Sequence, residues 1–347
     1  MTSDPTPSIV IANRYEVVRE LGRGSFGEVW EVHDHTLGTR CALKLLSDQV
    51  LAGPWNESQI LRGLSGEYVL PILNADVVEG RRYIVTEVMA GGTVEDRITP
   101  HVGMNVGQAV RWSREACQGV ARAHDAGLIH GDMKPGNLFL DGRDEVLVGD
   151  FGLAQLVRGR GAARAVGTPA TMAPEVAAGI VSTSSTPYTY TPLSDVYSLG
   201  ATAYWMLAGH PPTPGPSFSD LVDVSRPDLW DVAPHVPRGL RDVINRSLSL
   251  TPTDRQASAS DLAADLGLHR SPGRSWDRVA PHDGHEQCFV GRKARSTIEV
   301  CVRPESGSQV HITAQNSPSG RRLTKGTRTS LRRNLPRDLR SVFRACG

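Results

Sequence analysis

A stretch of eight residues and a tripeptide that follows it constrain this chain more than any other feature. The stretch, from His130 to Asn137, reads HGDMKPGN, and the sequence DFG begins at Asp150, thirteen residues further on. Asp132 is placed to orient an attacking hydroxyl, and Lys134 can neutralise charge on a phosphoryl group. Asn137 and Asp150 supply the hard oxygen ligands that Mg²⁺ prefers. The two motifs together predict a site for a metal-bound phosphate, although the first motif alone could be a polar loop.

A glycine-rich turn lies between two apolar, alternating stretches near the start of the chain. The stretches are residues 15–21 and 28–32, and the turn between them reads GRGSFG. A strand pattern follows the glycines where a dinucleotide-binding turn would have a helix. A hairpin of this kind can lay backbone N–H groups over phosphates, because glycine has no Cβ to keep the backbone away. The residues assigned to this loop are Gly22, Arg23, Gly24, Ser25, Phe26 and Gly27.

Lys44 interrupts an apolar strand pattern 17 residues after Gly27. A lysine in such a strand is commonly an edge residue whose head group reaches water, but this position favours a phosphate-facing role. Glu57 falls in a short helix predicted over residues 54–64, one turn before Leu61. We predict that Glu57 turns inward toward Lys44, and the alternative is a solvated helix glutamate.

The order of the predicted elements indicates an α+β fold with two lobes and a cleft between them. Strand patterns dominate up to residue 88, a hinge is predicted at Ala90-Gly91-Gly92, and helical periodicity follows it. Short alternating runs return near the C-terminus and predict a small β-containing unit there. The predicted divisions are a flexible arm (1–13), a β-rich N-terminal lobe (14–89), a helical C-terminal lobe (90–270), a linker (271–287) and a small basic domain (288–347).

Charge is distributed unevenly along a chain whose net charge is only +1. Residues 291–347 carry 13 Lys and Arg against 3 Asp and Glu, so the rest of the chain is acidic. Such a split suggests separate functional units. The five cysteines form no CxxC pair, and the chain has no signal-peptide pattern and no apolar run long enough to cross a bilayer. We therefore expect a soluble protein of the reducing cytoplasm.

From Tyr15 to Arg270 the chain resembles the eukaryotic-like serine/threonine protein kinases of bacteria. Many independent motifs match this family in the right order. Further residues match the family beyond the two motifs and the loop described above. They are Val29, Ala42, Lys44, Glu57, the gatekeeper Thr86, the adenine-binding hinge Glu87-Val88-Met89, Phe139, the Ala173-Pro174-Glu175 motif, Asp195 and Arg255.

This resemblance implies transfer of the γ-phosphoryl group of ATP to Ser and Thr hydroxyls of protein substrates, with Mg²⁺ as the metal and Mn²⁺ as an alternative. The implied catalytic residues are Asp132, Lys134, Lys44 and Glu57, and the implied metal ligands are Asn137 and Asp150. The implied ATP-binding residues are the loop from Gly22 to Gly27 together with Val29, Ala42, Lys44, Thr86, Glu87, Met89 and Phe139. The family also implies that Arg255 pairs with Glu175.

Two departures from the family pattern agree with each other. Gly131 stands where the family often has an arginine that receives a phosphate from the activation loop, and no Ser, Thr or Tyr lies between Gly152 and Gly167. That loop instead carries Arg158, Arg160 and Arg164. We therefore predict that phosphorylation of this loop does not control the protein.

A rival from a different class is a pseudokinase, a nucleotide-sensing scaffold that regulates the C-terminal domain or a partner. Pseudokinases usually lose one of the catalytic residues, whereas this chain keeps Lys44, Asp132, Asn137 and Asp150. The presence of these residues therefore favours the active enzyme. Transfer of labelled phosphate would separate the two.

The resemblance does not cover residues 271–347. His282, His285 and Cys288 have a spacing suggestive of zinc, with Cys301 or His311 as a fourth ligand, and the alternative is a pair of solvated histidines. The basic tail lacks the interleaved aromatic residues that stack on bases, so nucleic acid is not the expected partner. We expect it to bind an acidic partner or the acidic kinase domain of the same chain.

Overall fold

The fold is described from a computed structural model. It covers residues 9–24, 27–47, 58–151, 155–156, 167–181, 190–213, 226–268 and 274–347. The predicted positions Ser25, Phe26 and Glu57, and the loop arginines Arg158, Arg160 and Arg164, lie outside these residues.

The N-terminal lobe is built on a six-stranded antiparallel sheet in the order β1-β2-β3-β4-β6-β5. Its strands are β1 (Val10–Ile11), β2 (Tyr15–Gly24), β3 (Gly27–Asp34), β4 (Thr39–Leu46), β5 (Ile72–Val78) and β6 (Arg81–Glu87), and helix α1 spans Ser58–Gly63. Successive side chains of β4 point to opposite faces of the sheet. Cys41 and Leu43 are fully buried in the core on one face of the sheet, so Ala42 and Lys44 point to the opposite face, which forms the roof of the cleft.

The C-terminal lobe is helical, as its apolar periodicity predicts. Its helices are α2 (Val106–Asp125), α3 (Pro174–Val181), α4 (Pro192–Ala208), α5 (Leu229–Val232), α6 (Arg238–Ser247) and α7 (Ala259–Leu268). Short strands β7 (Leu128–Ile129), β8 (Leu138–Leu140), β9 (Val146–Val148) and β10 (Gln155–Leu156) carry the loops of the cleft. Thr191 and Ser194 form a capping box that starts α4, and Gly209, at φ +77°, ends it.

The C-terminal domain is a five-stranded antiparallel sheet covered on one face by a helix. Its elements are β11 (Ser275–Val279), β12 (Gln287–Lys293), β13 (Ser296–Pro304), β14 (Gln309–Ser317), β15 (Arg328–Leu331) and α8 (Leu335–Cys346). Phe289, Val300 and Phe343 pack between sheet and helix in a core of its own.

The prediction of a linker over residues 271–287 is wrong for part of that range, because β11 forms the edge of the C-terminal sheet. Trp276 packs on Phe343 at 4.6 Å between ring centroids, and the strand pairs with β12 along its whole length. Gly, Pro and His residues dominate the composition around β11. The strand was therefore not predicted, because Trp276 is its only large buried apolar residue. The arm predicted over residues 1–13 likewise contains β1, which pairs with β2.

The C-terminal domain contacts the helical lobe. The Asp277 carboxylate accepts the N–H of Val106, the first residue of α2, at 3.2 Å, where a negative charge suits the helix N-terminus. The Arg340 guanidinium lies 4.7 Å from the centroid of the Trp230 ring and donates to the Trp230 carbonyl at 3.1 Å. Phe289 lies 5.6 Å from the ring of the buried His235. These contacts join the basic domain to the helical lobe.

None of the helices in the described ranges combines the length and the apolarity that crossing a membrane requires. All five cysteines are buried and free of disulfide bonds.

Candidate active site

A cavity of about 680 Å³ lies between the two lobes. Its walls include ten predicted positions: Gly22, Val29, Ala42, Lys44, Thr86, Glu87, Met89, Asn137, Phe139 and Asp150. Val29, Ala42 and Phe139 form apolar walls, while Lys44, Asn137 and Asp150 are polar. An apolar cavity with a few convergent polar groups is the usual form of a small-molecule site.

Lys44 reaches across the cavity to Asp150. The ammonium nitrogen lies 2.5 Å and 2.7 Å from the two carboxylate oxygens. Burial alone would raise the pKa of the Asp150 carboxyl, but the Lys44 charge outweighs it and holds that pKa below its ordinary value. Asp150 is therefore an anion at neutral pH, and its φ of +60° is an unusual backbone state for a residue that is not glycine.

Asp132 sits at the centre of a compact hydrogen-bond network. Its carboxylate accepts the N–H of Thr168 at 2.8 Å and the side-chain amide of Asn137 at 3.2 Å, and it lies 2.9 Å from the Lys134 ammonium. Lys134 also donates to the Thr168 hydroxyl at 2.8 Å. Since Asp132 is held from three directions, its carboxylate is fixed in position before any substrate arrives.

Asp195, on α4, holds the backbone that leads into this loop. Its two oxygens accept the N–H groups of His130 and Gly131 at 2.8 Å and 2.9 Å, and one oxygen also contacts His124 Nε2 at 2.8 Å. Burial opposes ionisation of Asp195, yet the hydrogen bond to His124, the charges of His124 and His130 and the Gly131 N–H keep its pKa below the ordinary value. Gly131 adopts φ +79°, a state that glycine reaches without strain.

The segment of residues 149–151, which contains Asp150, is joined to the same loop. His130 Nε2 contacts the Gly149 carbonyl at 3.0 Å, and the His130 ring lies 4.9 Å from the Phe151 ring. A Cβ at Gly149 would come within 2.8 Å of the Phe139 ring, so only glycine fits before Asp150. Leu61 is 1% exposed and belongs to the same core as Phe151.

Arg255 makes the ion pair with Glu175 that the resemblance implies. Two parallel hydrogen bonds of 2.7 Å join the guanidinium to the carboxylate, and further bonds reach the carbonyls of Ser249 and Leu193. The Arg255 side chain is completely buried. This bidentate pair fixes the end of the segment that carries Thr168 and Thr171.

Among the described loop positions, Arg23, Gly24 and Gly27 lie away from the cavity walls. Arg23 is exposed and pairs with Glu20 and Glu28. Gly27 has a structural reason to be glycine, because a Cβ there would lie 2.1 Å from the Leu45 carbonyl oxygen.

The sequence reasoning missed several residues of the site. Leu21, Leu70, Ile72 and Ile84 complete the apolar walls of the cavity. Their strand patterns mark them as apolar, but no sequence signal says which face of the sheet meets the cleft. Thr168 and His124 were also missed as partners of Asp132 and Asp195, because these contacts join segments 36 and 71 residues apart.

The residues present suit Mg²⁺ by their chemistry. Asn137 and Asp150 both line the cavity and offer amide and carboxylate oxygens, which are hard ligands. The Asn137 amide nitrogen is used in bonds to Asp132, which leaves its oxygen available as a ligand.

A β-rich lobe and a helical lobe that enclose such a cavity are the architecture of the protein kinase class. The chain belongs to the protein kinase domain family, whose pattern matches residues 15–265. Members of this family generally use ATP and Mg²⁺.

Several bacterial relatives are serine/threonine kinases by name. The chain is 31% identical over 289 residues to the serine/threonine-protein kinase PknK of Mycobacterium tuberculosis, covering 79% of this chain and 25% of that protein. It is 29% identical over 305 residues to pkn2 of Myxococcus xanthus (80% and 36%) and 27% identical over 283 residues to a probable PknB of Corynebacterium glutamicum (75% and 43%). The chain therefore spans less than half the length of these relatives.

Proposed function

We propose that this chain is an active serine/threonine protein kinase that uses Mg²⁺ and ATP. The observation that carries the proposal is the network in which Asp132, Lys134 and Thr168 meet Asn137, on the edge of the cavity that holds Lys44 and Asp150. A pseudokinase has no need to hold a carboxylate in this way.

The residues divide the work between binding and positioning. Mg²⁺, when bound, would neutralise charge on the phosphates, and Asn137 and Asp150 are the residues that would hold it. Lys44 supplies a positive charge at the back of the cavity, where a phosphate chain would lie. Asp132 accepts a hydrogen bond from the substrate hydroxyl, and Lys134 beside it stabilises the negative charge that develops during transfer. Val29, Ala42 and Phe139 bind the adenine ring between apolar surfaces.

We also propose that phosphorylation of the activation loop does not switch the enzyme on. Gly131 leaves no arginine side chain at the position that would receive the phosphate, and the loop offers no hydroxyl before Gly167. Thr168 is engaged by both Asp132 and Lys134, so a phosphate there would disturb the catalytic loop.

Control is then expected from the basic C-terminal domain. Arg340 and Arg278 contact backbone carbonyls of α5 in the helical lobe, which supports an intramolecular role for the domain. An acidic protein partner could compete for the exposed arginines of the same domain. We propose a cytoplasmic location, which the five free cysteines support.

Incubation of the pure protein with labelled ATP, Mg²⁺ and a generic protein substrate tests the proposal. We expect label on Ser and Thr, mapped by mass spectrometry, and none with Asp150→Asn, because an amide is a poor replacement for a carboxylate metal ligand. Asp76→Asn is the matched control, since Asp76 is exposed on β5 and bonds only to the adjacent N–H among the described residues. Nucleotide binding without transfer by the wild-type protein would favour the pseudokinase.

A further inference from the structure

Four potential metal ligands converge in the C-terminal domain, outside the kinase family match. They are His282, His285, Cys288 and Cys301, and one ligand atom from each lies within 4.8 Å of all the others. Two of the four come from the loop before β12, and the other two from β12 and β13. Residues far apart in sequence are thus brought to one point by the fold.

The sheet places the two cysteines side by side. Cys288 and Cys301 are directly opposite each other in the antiparallel pairing of β12 with β13, and both side chains are buried. Because side chains alternate along a strand, the two sulfurs lie on the face opposite Phe289 and Val300, which belong to the core under α8. The cysteines are therefore not part of that core.

A tight turn carries the two histidines over the cysteines. The His285 N–H donates to the His282 carbonyl at 2.9 Å, and Gly284 adopts φ +76°, which allows the chain to reverse there. The next residue, Glu286, donates its N–H to Val302 on β13 at 2.8 Å and so fixes the loop to the sheet. The turn presents both imidazole rings to the sulfurs.

The distances match a tetrahedral ion. His285 Nδ1 lies 3.3 Å from Cys288 Sγ, and His282 Nδ1 lies 3.7 Å and 3.8 Å from the sulfurs of Cys288 and Cys301. Zinc bonds of about 2.3 Å to sulfur and about 2.0 Å to nitrogen put tetrahedral ligand atoms roughly 3.3–3.8 Å apart. These three separations fall within that range, and all four ligand atoms lie within 4.8 Å of one another.

We propose that these four residues bind a structural Zn²⁺ ion. Two thiolates balance the charge of the ion, so a neutral centre can be buried at the sheet surface. Thiolate and imidazole ligands favour zinc over Mg²⁺ or Ca²⁺, which prefer oxygen. Four protein ligands leave no open position, so the site has the closed form of a structural centre.

One neighbour must move for the site to fill. The Arg303 guanidinium donates to His285 Nε2, and a His285 that binds zinc through Nδ1 carries its hydrogen on Nε2. The two hydrogens would then face each other. Arg303 is exposed, so its side chain can turn into solvent at little cost.

The proposed zinc site would stabilise β12, the strand that contacts the helical lobe through Phe289. Phe289 follows Cys288 directly and contacts His235 of the helical lobe. Zinc would hold the loop of residues 280–286 and both strands as one unit, which keeps this docking surface in register.

Zinc content of the full chain tests the proposal. Protein purified without chelator should contain about one zinc ion per chain, and Cys301→Ser or His285→Gln should reduce this at least tenfold. His285→Cys should retain zinc, because it replaces one ligand by another. His311→Asn and Cys346→Ser are matched controls that should retain it, since His311 contacts Thr329 and Arg322 and Cys346 lies in the core under α8.

Cobalt gives a readout that does not depend on the folding of variants. Reduced, zinc-depleted wild-type protein should take up Co²⁺ and show the visible bands of a tetrahedral ion together with a thiolate charge-transfer band. Absence of both zinc and these bands would overturn the proposal. So would a disulfide between Cys288 and Cys301 in unreduced protein, or full zinc retention in the Cys301→Ser/His285→Gln double variant.

Discussion

The hydrogen bond from Lys134 to the Thr168 hydroxyl makes a specific prediction about catalysis. The bond is 2.8 Å long, and the Lys134 side chain is only 23% exposed. A hydrogen bond to a charged group of this kind contributes about 1.5–3 kcal/mol. If that energy holds Lys134 beside Asp132 in the transition state, its loss should lower kcat about 10- to 150-fold.

Thr168→Val removes the hydroxyl while keeping the shape of the side chain. We expect kcat to fall by this factor and KM for ATP to change little, because Thr168 contacts the catalytic loop and does not line the nucleotide cavity. Thr168→Ser should retain most of the activity. Steady-state kinetics with a fixed peptide substrate measures both constants.

An acidic substitution separates positioning from a phosphorylation switch. Thr168→Asp places a second carboxylate beside Asp132, so its kcat should be no higher than that of Thr168→Val. Wild-type rates in Thr168→Val would refute the positioning argument. Higher activity in Thr168→Asp than in phosphatase-treated wild type would refute the argument against a switch.

Three further predictions concern the ion pairs of the site. Lys44→Met should abolish transfer and raise the pKa of Asp150, since burial is then opposed mainly by the charges of Lys134 and His130. The lowered pKa of Asp150 in the wild type adds stability above the ordinary value of 3.8, which is lost as pH falls through the folded pKa. Urea unfolding at several pH values should therefore show that the stability difference between wild type and Lys44→Met grows as pH rises from the folded pKa of Asp150 past 3.8. A constant difference would contradict the assignment. Arg255→Met should lower the free energy of unfolding by about 3 kcal/mol, because it leaves Glu175 without its partner, and Arg255→Met/Glu175→Gln should recover part of the loss. Asp132→Asn should lower the transfer rate by several orders of magnitude while ATP affinity, measured by calorimetry, survives; a parallel loss of affinity would show that Asp132 also binds the nucleotide.

The order of the motifs and the alternation of apolar residues predicted the two lobes and ten of the residues that line the cavity. Lys44 and Ala42 follow from the strand pattern of β4, whose buried residues on one face force them to the other. Helix α2 follows from the helical periodicity after the hinge, because its apolar period is long and regular.

The C-terminal domain was less predictable, although part of its signal was present. Leu335, Leu339, Val342 and Phe343 follow the helical period of α8, but the many arginines on its other face suggested only a basic tail. The strand β11 depends on tertiary contacts, since Trp276 gains its partners only when the sheet has formed. The bond between Lys134 and Thr168 likewise exists only because two distant loops meet.

The initial rate of phosphate transfer by phosphatase-treated protein tests the central claim most directly. With ATP, Mg²⁺ and a generic Ser/Thr substrate, product should increase linearly from the first time point, because Asp132 and Lys134 are already held in place by Thr168. A lag that prior autophosphorylation at Thr168 or Thr171 abolishes would contradict the proposed mode of control. No transfer at saturating ATP, with nucleotide demonstrably bound, would contradict the claim that the chain is an active kinase.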